Sequence, residues 1–276
     1  MCHLKIKMSF LIIVMILLIT TISFAWGPSE REIFTWESQA SYAVFNSIKN
    51  NPQIGDERDF VRIRKVGDLS WTNEIKIEAN TEYEVFIYFH NNAMESLNSS
   101  ENSGKGIAQE VKMYSSFPPV LKKFDEAQSV FGKIYSPDTN PDSIWDEAWI
   151  TTDEEEVYLY YVPDTAIIHS NGSIDGSNIG PEHLFGETGS YISYSDDHLG
   201  MIAGGETYAG YVSYKFKTEL VKEESVSDIT NNTTNKGILI LGIIIVVVFV
   251  LYISRKQFIT FLAYLDKKQF EKKGKK

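Results

Sequence analysis

The run Gly55-Asp56-Glu57-Arg58-Asp59 puts three carboxylates within four positions, just ahead of an alternating apolar segment. Such a turn offers oxygen ligands to Ca²⁺, which takes several carboxylate and carbonyl oxygens from one loop. Asp56, Glu57 and Asp59 are therefore the candidate metal ligands, and Ca²⁺ is the one cofactor the sequence offers. Against this, Arg58 places a competing cation inside the run, and three carboxylates supply only part of a calcium shell. The ordinary expectation is that Asp56 bonds to amides of its own turn while Arg58 pairs with a carboxylate across the fold.

Other chemistry-bearing groups are less organised. Asp138, Asn140 and Asp142 stand at positions 1, 3 and 5 of a calcium loop, but position 6 is Ser143 and position 12 is Trp149, where Gly and Glu are needed. A turn-rich connection is expected there, and a solvated acidic loop at Asp153 to Glu156. His183 and His198 with Asp196 and Asp197 are the transition-metal types present, without a spacing that ties them together. Serines abound, yet no Gly-x-Ser-x-Gly elbow places one as a nucleophile. The sequence thus reads as a non-enzyme. The aromatics suggest recognition instead: Tyr158 and Tyr160 share one face of an expected strand, opposite Val157, Leu159 and Tyr161, and are the candidate ligand-binding residues. Trp145 and Trp149 are expected in a connection, with their rings in the core.

The elements that must position these groups follow a period of two. Ile75 and Ile77 oppose Glu74, Lys76 and Glu78; Val61 and Ile63 oppose Arg62 and Arg64; Val111 and Met113 oppose Lys112; Val212, Tyr214 and Phe216 oppose Ser213, Lys215 and Lys217. Val85 to Phe89 is apolar throughout, as in a central strand covered on both faces. Turn pairs such as Asn51-Pro52, Pro118-Pro119, Asn140-Pro141 and Gly204-Gly205 separate the runs. The expected fold is all-β, an antiparallel immunoglobulin-like sandwich over residues 26–220, with Ser170 to Gly189 as a long inserted loop.

The ends carry an address. Residues 1–25 combine Lys5 and Lys7 with a long uncharged run and close on Ser23-Phe24-Ala25, the layout of a signal segment, cleaved or retained as an anchor. Residues 221–236 form a polar linker without an Leu-Pro-x-Thr-Gly sorting signal. Residues 237–254 form an expected transmembrane helix, and 255–276 a basic tail that the positive-inside rule keeps in the cytoplasm. Location at the cell membrane follows, with a single pass and the ectodomain outside. The chain has formal net charge −11, but residues 27–253 hold 16 basic and 35 acidic side chains. So acidic a surface repels phosphate backbones, which excludes nucleic acid and leaves the membrane and an envelope glycan or surface protein as partners. The one cysteine, Cys2, lies in the signal segment, so the ectodomain has no disulfide.

Several motifs resemble a family of secreted β-sandwich proteins of actinobacteria and candidate-phylum bacteria that carries no assigned activity. They are Trp26-Gly27-Pro28, Phe45-Asn46-Ser47-Ile48 followed by Asn51-Pro52, Gly55-Asp56-Glu57-Arg58 with Phe60-Val61 and Ile63-Arg64, His90-Asn91-Asn92-Ala93, Trp145-Asp146, Tyr161-Val162-Pro163 and Tyr208-Ala209-Gly210-Tyr211-Val212. Where the family has Ile-Pro-Gly-Cys, residues 202–205 read Ile-Ala-Gly-Gly. The second half is also similar to repeat domains of bacterial surface adhesins, in which strands such as Tyr83 to Asn92 and Gly205 to Lys217 close the sandwich. Both resemblances imply a fold and an extracellular location, and neither implies a catalytic residue.

Overall fold

The alternating runs become strands of two packed sheets in the computed structural model, which describes residues 26–220. The expected signal segment, linker, transmembrane helix and tail lie outside the described residues. Among the described residues no helix is long and apolar enough to cross a membrane.

Eleven strands form in chain order: β1 Val61–Lys65, β2 Glu74–Ile77, β3 Glu82–Phe89, β4 Lys112–Ser116, β5 Val120–Lys122, β6 Gln128–Tyr135, β7 Ser143–Thr152, β8 Glu156–Tyr161, β9 Ile167–Ser170, β10 Ser190–Tyr191 and β11 Gly210–Leu220. The first sheet runs β1-β3-β11-β8-β5, with β9 also on β11; the second runs β10-β4-β6-β7-β2. One of the two sheets is curled into a half-barrel. Pairing is antiparallel except where β2 lies parallel to β7, with Glu74 opposite Trp149. Among the described residues the one α-helical turn, α1, is Pro181–Leu184.

Period-two alternation sends one face of each strand inward. Val61, Ile63, Val85, Ile87, Val212 and Phe216 from the first sheet meet Met113, Val130, Ile134, Ala148 and Ile150 from the second in one buried cluster. Each large side chain removed from water there contributes about 1.5–3 kcal/mol, and with no cysteine this core must hold the domain. The sheets approach closely at Gly132 of β6, where a Cβ would meet Val61 Cγ2 at 2.6 Å. Tyr214 Oη of β11 and Ser115 Oγ of β4 form a polar bond across the core at 2.8 Å.

Strand β11 sets the long axis. Its Gly210 lies opposite Phe89 at the end of β3, and its Leu220 opposite Val157 near the start of β8. At about 3.4 Å per residue it spans roughly 35 Å.

Candidate functional site

The three carboxylates of the 55–59 turn go three ways. Asp56 accepts from its own turn, Arg58 N at 3.1 Å, and takes a two-pronged pair from Arg58 Nε and Nη2 at 2.9 and 2.6 Å. Arg58 therefore pairs two residues back and not across the fold. Burial alone would raise Asp56, but the Arg58 bonds outweigh it and hold the carboxyl below its ordinary value. Asp59 faces Arg62 at 3.5 Å and Asn73, and burial pushes it up. Glu57 turns inward and has no solvent exposure.

Around Glu57 stands a sealed polar knot. Its Oε1 lies 2.8 Å from His90 Nδ1 and accepts from Asn51 Nδ2 at 2.7 Å, while Oε2 accepts from Asn92 Nδ2 at 2.7 Å. His90 Nδ1 also lies 3.0 Å from Asn92 Nδ2. The surrounding amides tie loop to strand end. Asn46 Oδ1 accepts from His90 N at 2.8 Å and Asn46 Nδ2 donates to Tyr88 O at 2.9 Å, while Asn91 Nδ2 reaches Gly106 O and Ile202 O at 2.7 and 2.9 Å. The knot exists because residues 26–60 have almost no ladder of their own, only isolated bridges such as Phe45 to Asn91. Some of their backbone groups, Val44 N and Ser47 N among them, are satisfied by the side-chain amides of Asn91 and Asn92. Asn46, Asn51, Glu57, His90, Asn91 and Asn92 come from three of the motifs read in the sequence, which signalled them as a pattern but not as mutual partners.

A second buried pair lies nearby. Asp146, inward on β7, accepts from Phe60 N and Val61 N at 2.6 and 2.7 Å through Oδ2, while Oδ1 has no hydrogen-bond partner. Burial pushes its pKa up to about 7, against the pull of those amides. Arg31 is only 6% exposed and none of its guanidinium nitrogens has a hydrogen-bond partner. Burial first, and Arg58 second, lower it to about 10, with Asp146 the leading opposing charge.

The aromatic residues divide by sheet. Tyr158 and Tyr160 point outward from β8, 37% and 45% exposed, with ring centroids 6.3 Å apart. On the same outer face a half-buried column runs Trp71, Phe86, Tyr211, His169, with successive centroids 5.3, 4.7 and 4.4 Å apart and Arg64 capping Trp71 at 4.0 Å. Trp145 and Trp149 correct the expectation of a connection: both lie in β7. Both also point outward, because inward Asp146 fixes the alternation. Trp145 remains 36% exposed and its ring covers Gly27.

The excursion between β9 and β11 builds two clefts. One, about 420 Å³, has Tyr88, His169, Asp175, Glu206 and Tyr211 in its walls. The other, about 550 Å³, opens between β9 and β10 over Ile168, Ile174 and Ile179, with Tyr191 at its mouth. His183 and Asp196 reach this second cleft. His183 faces Glu182 at 3.5 Å, and Asp196 accepts from Ser173 Oγ. Asp138, Asn140 and Asp142 lie in the β6–β7 turn, closed by Ser136 N to Asp142 O at 2.8 Å. Among the described residues no group of three or more His, Cys, Asp and Glu side chains is placed to hold a metal ion.

Comparison with protein-family models, with curated proteins and with solved structures finds no match to the chain.

Proposed function

We propose that the chain is a membrane-anchored cell-surface protein whose domain over residues 26–220, an immunoglobulin-like sandwich in this reading, recognises an envelope glycan or surface protein without turning it over. The observation that supports this best is polarity of layout. Both clefts border the Gly210–Val212 end of β11, through Gly210 and Tyr211 in one and through Ile168, the partner of Val212, in the other. The chain leaves the domain at the opposite end, past Leu220, toward the expected linker and span. A domain held at one end and carrying its recesses at the other suits adhesion or partner display. The acid and base that most resemble a catalytic pair, Glu57 and His90, have no solvent exposure, so no substrate atom reaches them.

The test is binding of the labelled full chain, in lipid nanodiscs, to envelope fragments of the producing cell and of neighbouring cells, with Ca²⁺ and with a chelator. Saturable binding indifferent to the chelator is expected. Absence of binding to either surface would overturn the recognition reading, and chelator-sensitive binding would revive a calcium-dependent module.

A further inference from the structure

The polar side chains of the domain fall into two populations. Those of the knot, His90 Nε2 excepted, are consumed by bonds within the fold. In the 550 Å³ cleft between β9 and β10 they are not: among the described residues the side chains of Ser177, Asn178 and Thr188, all lining it, make no hydrogen bond within the protein. They offer hydroxyl and amide groups, donors and acceptors both, above an apolar floor. At the mouth Tyr191 and Leu199 leave 43% and 59% of their surface to solvent.

Of the charged groups here, only Lys112 has no ion-pair or hydrogen-bond partner among the described residues. Lys112 lies over the Tyr191 ring at 4.9 Å, Asp196 is bonded to Ser173, and His183 faces Glu182. The cleft thus presents uncharged hydrogen-bonding groups beside exposed apolar surface, in a region of chain with 35 acidic against 16 basic side chains. A phosphate, sulfate or uronate would meet the net negative charge of the chain with Lys112 alone to answer it. An uncharged sugar ring matches instead: its hydroxyls suit Asn178, Ser177 and Thr188, its C–H face suits Tyr191 and Leu199, and the volume lies within the range of small-ligand sites. Building on the recognition reading above, we propose that this cleft binds a neutral sugar residue of an envelope glycan.

The full chain in nanodiscs is titrated with neutral cello-, chito-, manno- and galacto-oligosaccharides, with sulfated and sialylated counterparts, and with an extended peptide library. Tyr191→Ala and Asn178→Ala are compared with a Leu69→Ala/Phe124→Ala double variant of exposed residues outside the cleft. At least one neutral series is expected to bind saturably, weakened about tenfold or more by each cleft variant and unchanged by the double variant, at an unaltered melting temperature. Binding restricted to anionic sugars or to peptides, or lost only in the double variant, would overturn the assignment. Envelope binding that survives Tyr191→Ala would overturn the sugar cleft and leave the recognition reading standing. No envelope binding by the unaltered chain would sink both.

Discussion

The Glu57 knot and the β9–β10 cleft use similar residue types, each containing histidine, asparagine, serine or acid, and put them to opposite ends. In the knot the polar atoms are out of water and nearly all are bonded to partners far along the chain, as Glu57 Oε2 is to Asn92, 35 positions away. In the cleft the side chains of Ser177, Asn178 and Thr188 make no bond within the described fold. The difference teaches that a histidine beside a carboxylate indicates function only when the pair is reachable. Sealed, the same pair is scaffolding, and its energetic weight comes from what its loss would leave unpaired.

The sharpest way to break this contrast is Glu57→Ala. It strips partners from His90, Asn51 and Asn92 at once, and a loss of about 3–5 kcal/mol is expected in urea unfolding of the full chain. A loss below about 1 kcal/mol would show that the knot is not structural. Next in size is Asp146→Asn, which keeps an acceptor for Phe60 N and Val61 N but removes the titration. Because burial raises Asp146 from 3.8 to about 7, the folded state binds the proton more tightly than the unfolded chain. The contribution of Asp146 is full below about 4 and is lost as pH rises through about 7. The urea midpoint of the variant relative to the unaltered chain should therefore climb across that window, and parallel pH curves would discount the burial of Asp146.

A smaller effect is expected at Tyr214→Phe, which removes the Ser115 bond between the sheets but no apolar area. About 1 kcal/mol is anticipated, and a change in the denaturant slope would point to altered sheet packing instead. Tyr191→Ala should shift stability by no more than about 0.5 kcal/mol, as for an exposed side chain. A larger cost would place Tyr191 in the core economy and weaken the division between the two regions.

Much of the first sheet was legible. The alternation in Phe60 to Lys65 and Val212 to Lys217 yielded β1 and β11, and the apolar run from Val85 marked the central strand β3, which does lie between them. The outward Tyr158 and Tyr160 were legible for the same reason. Strand β7 was harder because its inward series Ile144, Asp146, Ala148, Ile150 contains an aspartate. An inward acid defeats a hydropathy pattern, and the amides that satisfy this one belong to Phe60 and Val61, the latter 85 positions back. The parallel β2–β7 pair left no trace in local sequence. Around the 55–59 turn, the bond from Asp56 to an amide of its own turn was legible, and so was an ion pair for Arg58, but not that Arg58 would find Asp56 instead of a carboxylate across the fold. The cleft was illegible because residues 171–209 follow no period: their arrangement is set by turns and by docking onto β4 and β9.

The length of β11 has a mechanical consequence. It pairs with β3, β8 and β9 along an axis that ends where the chain continues toward the expected anchor. A ligand held beside β9 and a tether beyond Leu220 would pull in opposite senses along that axis, so the ladder bonds share the load in shear instead of opening one by one as a zipper does. Rupture then requires many bonds to fail together, and the domain should resist force better than its equilibrium stability suggests. Single-molecule pulling between residue 169 and the C-terminus, compared with pulling across the β4–β10 edge, should show the higher rupture force for the first geometry. Equal forces would deny β11 this role as a tension member.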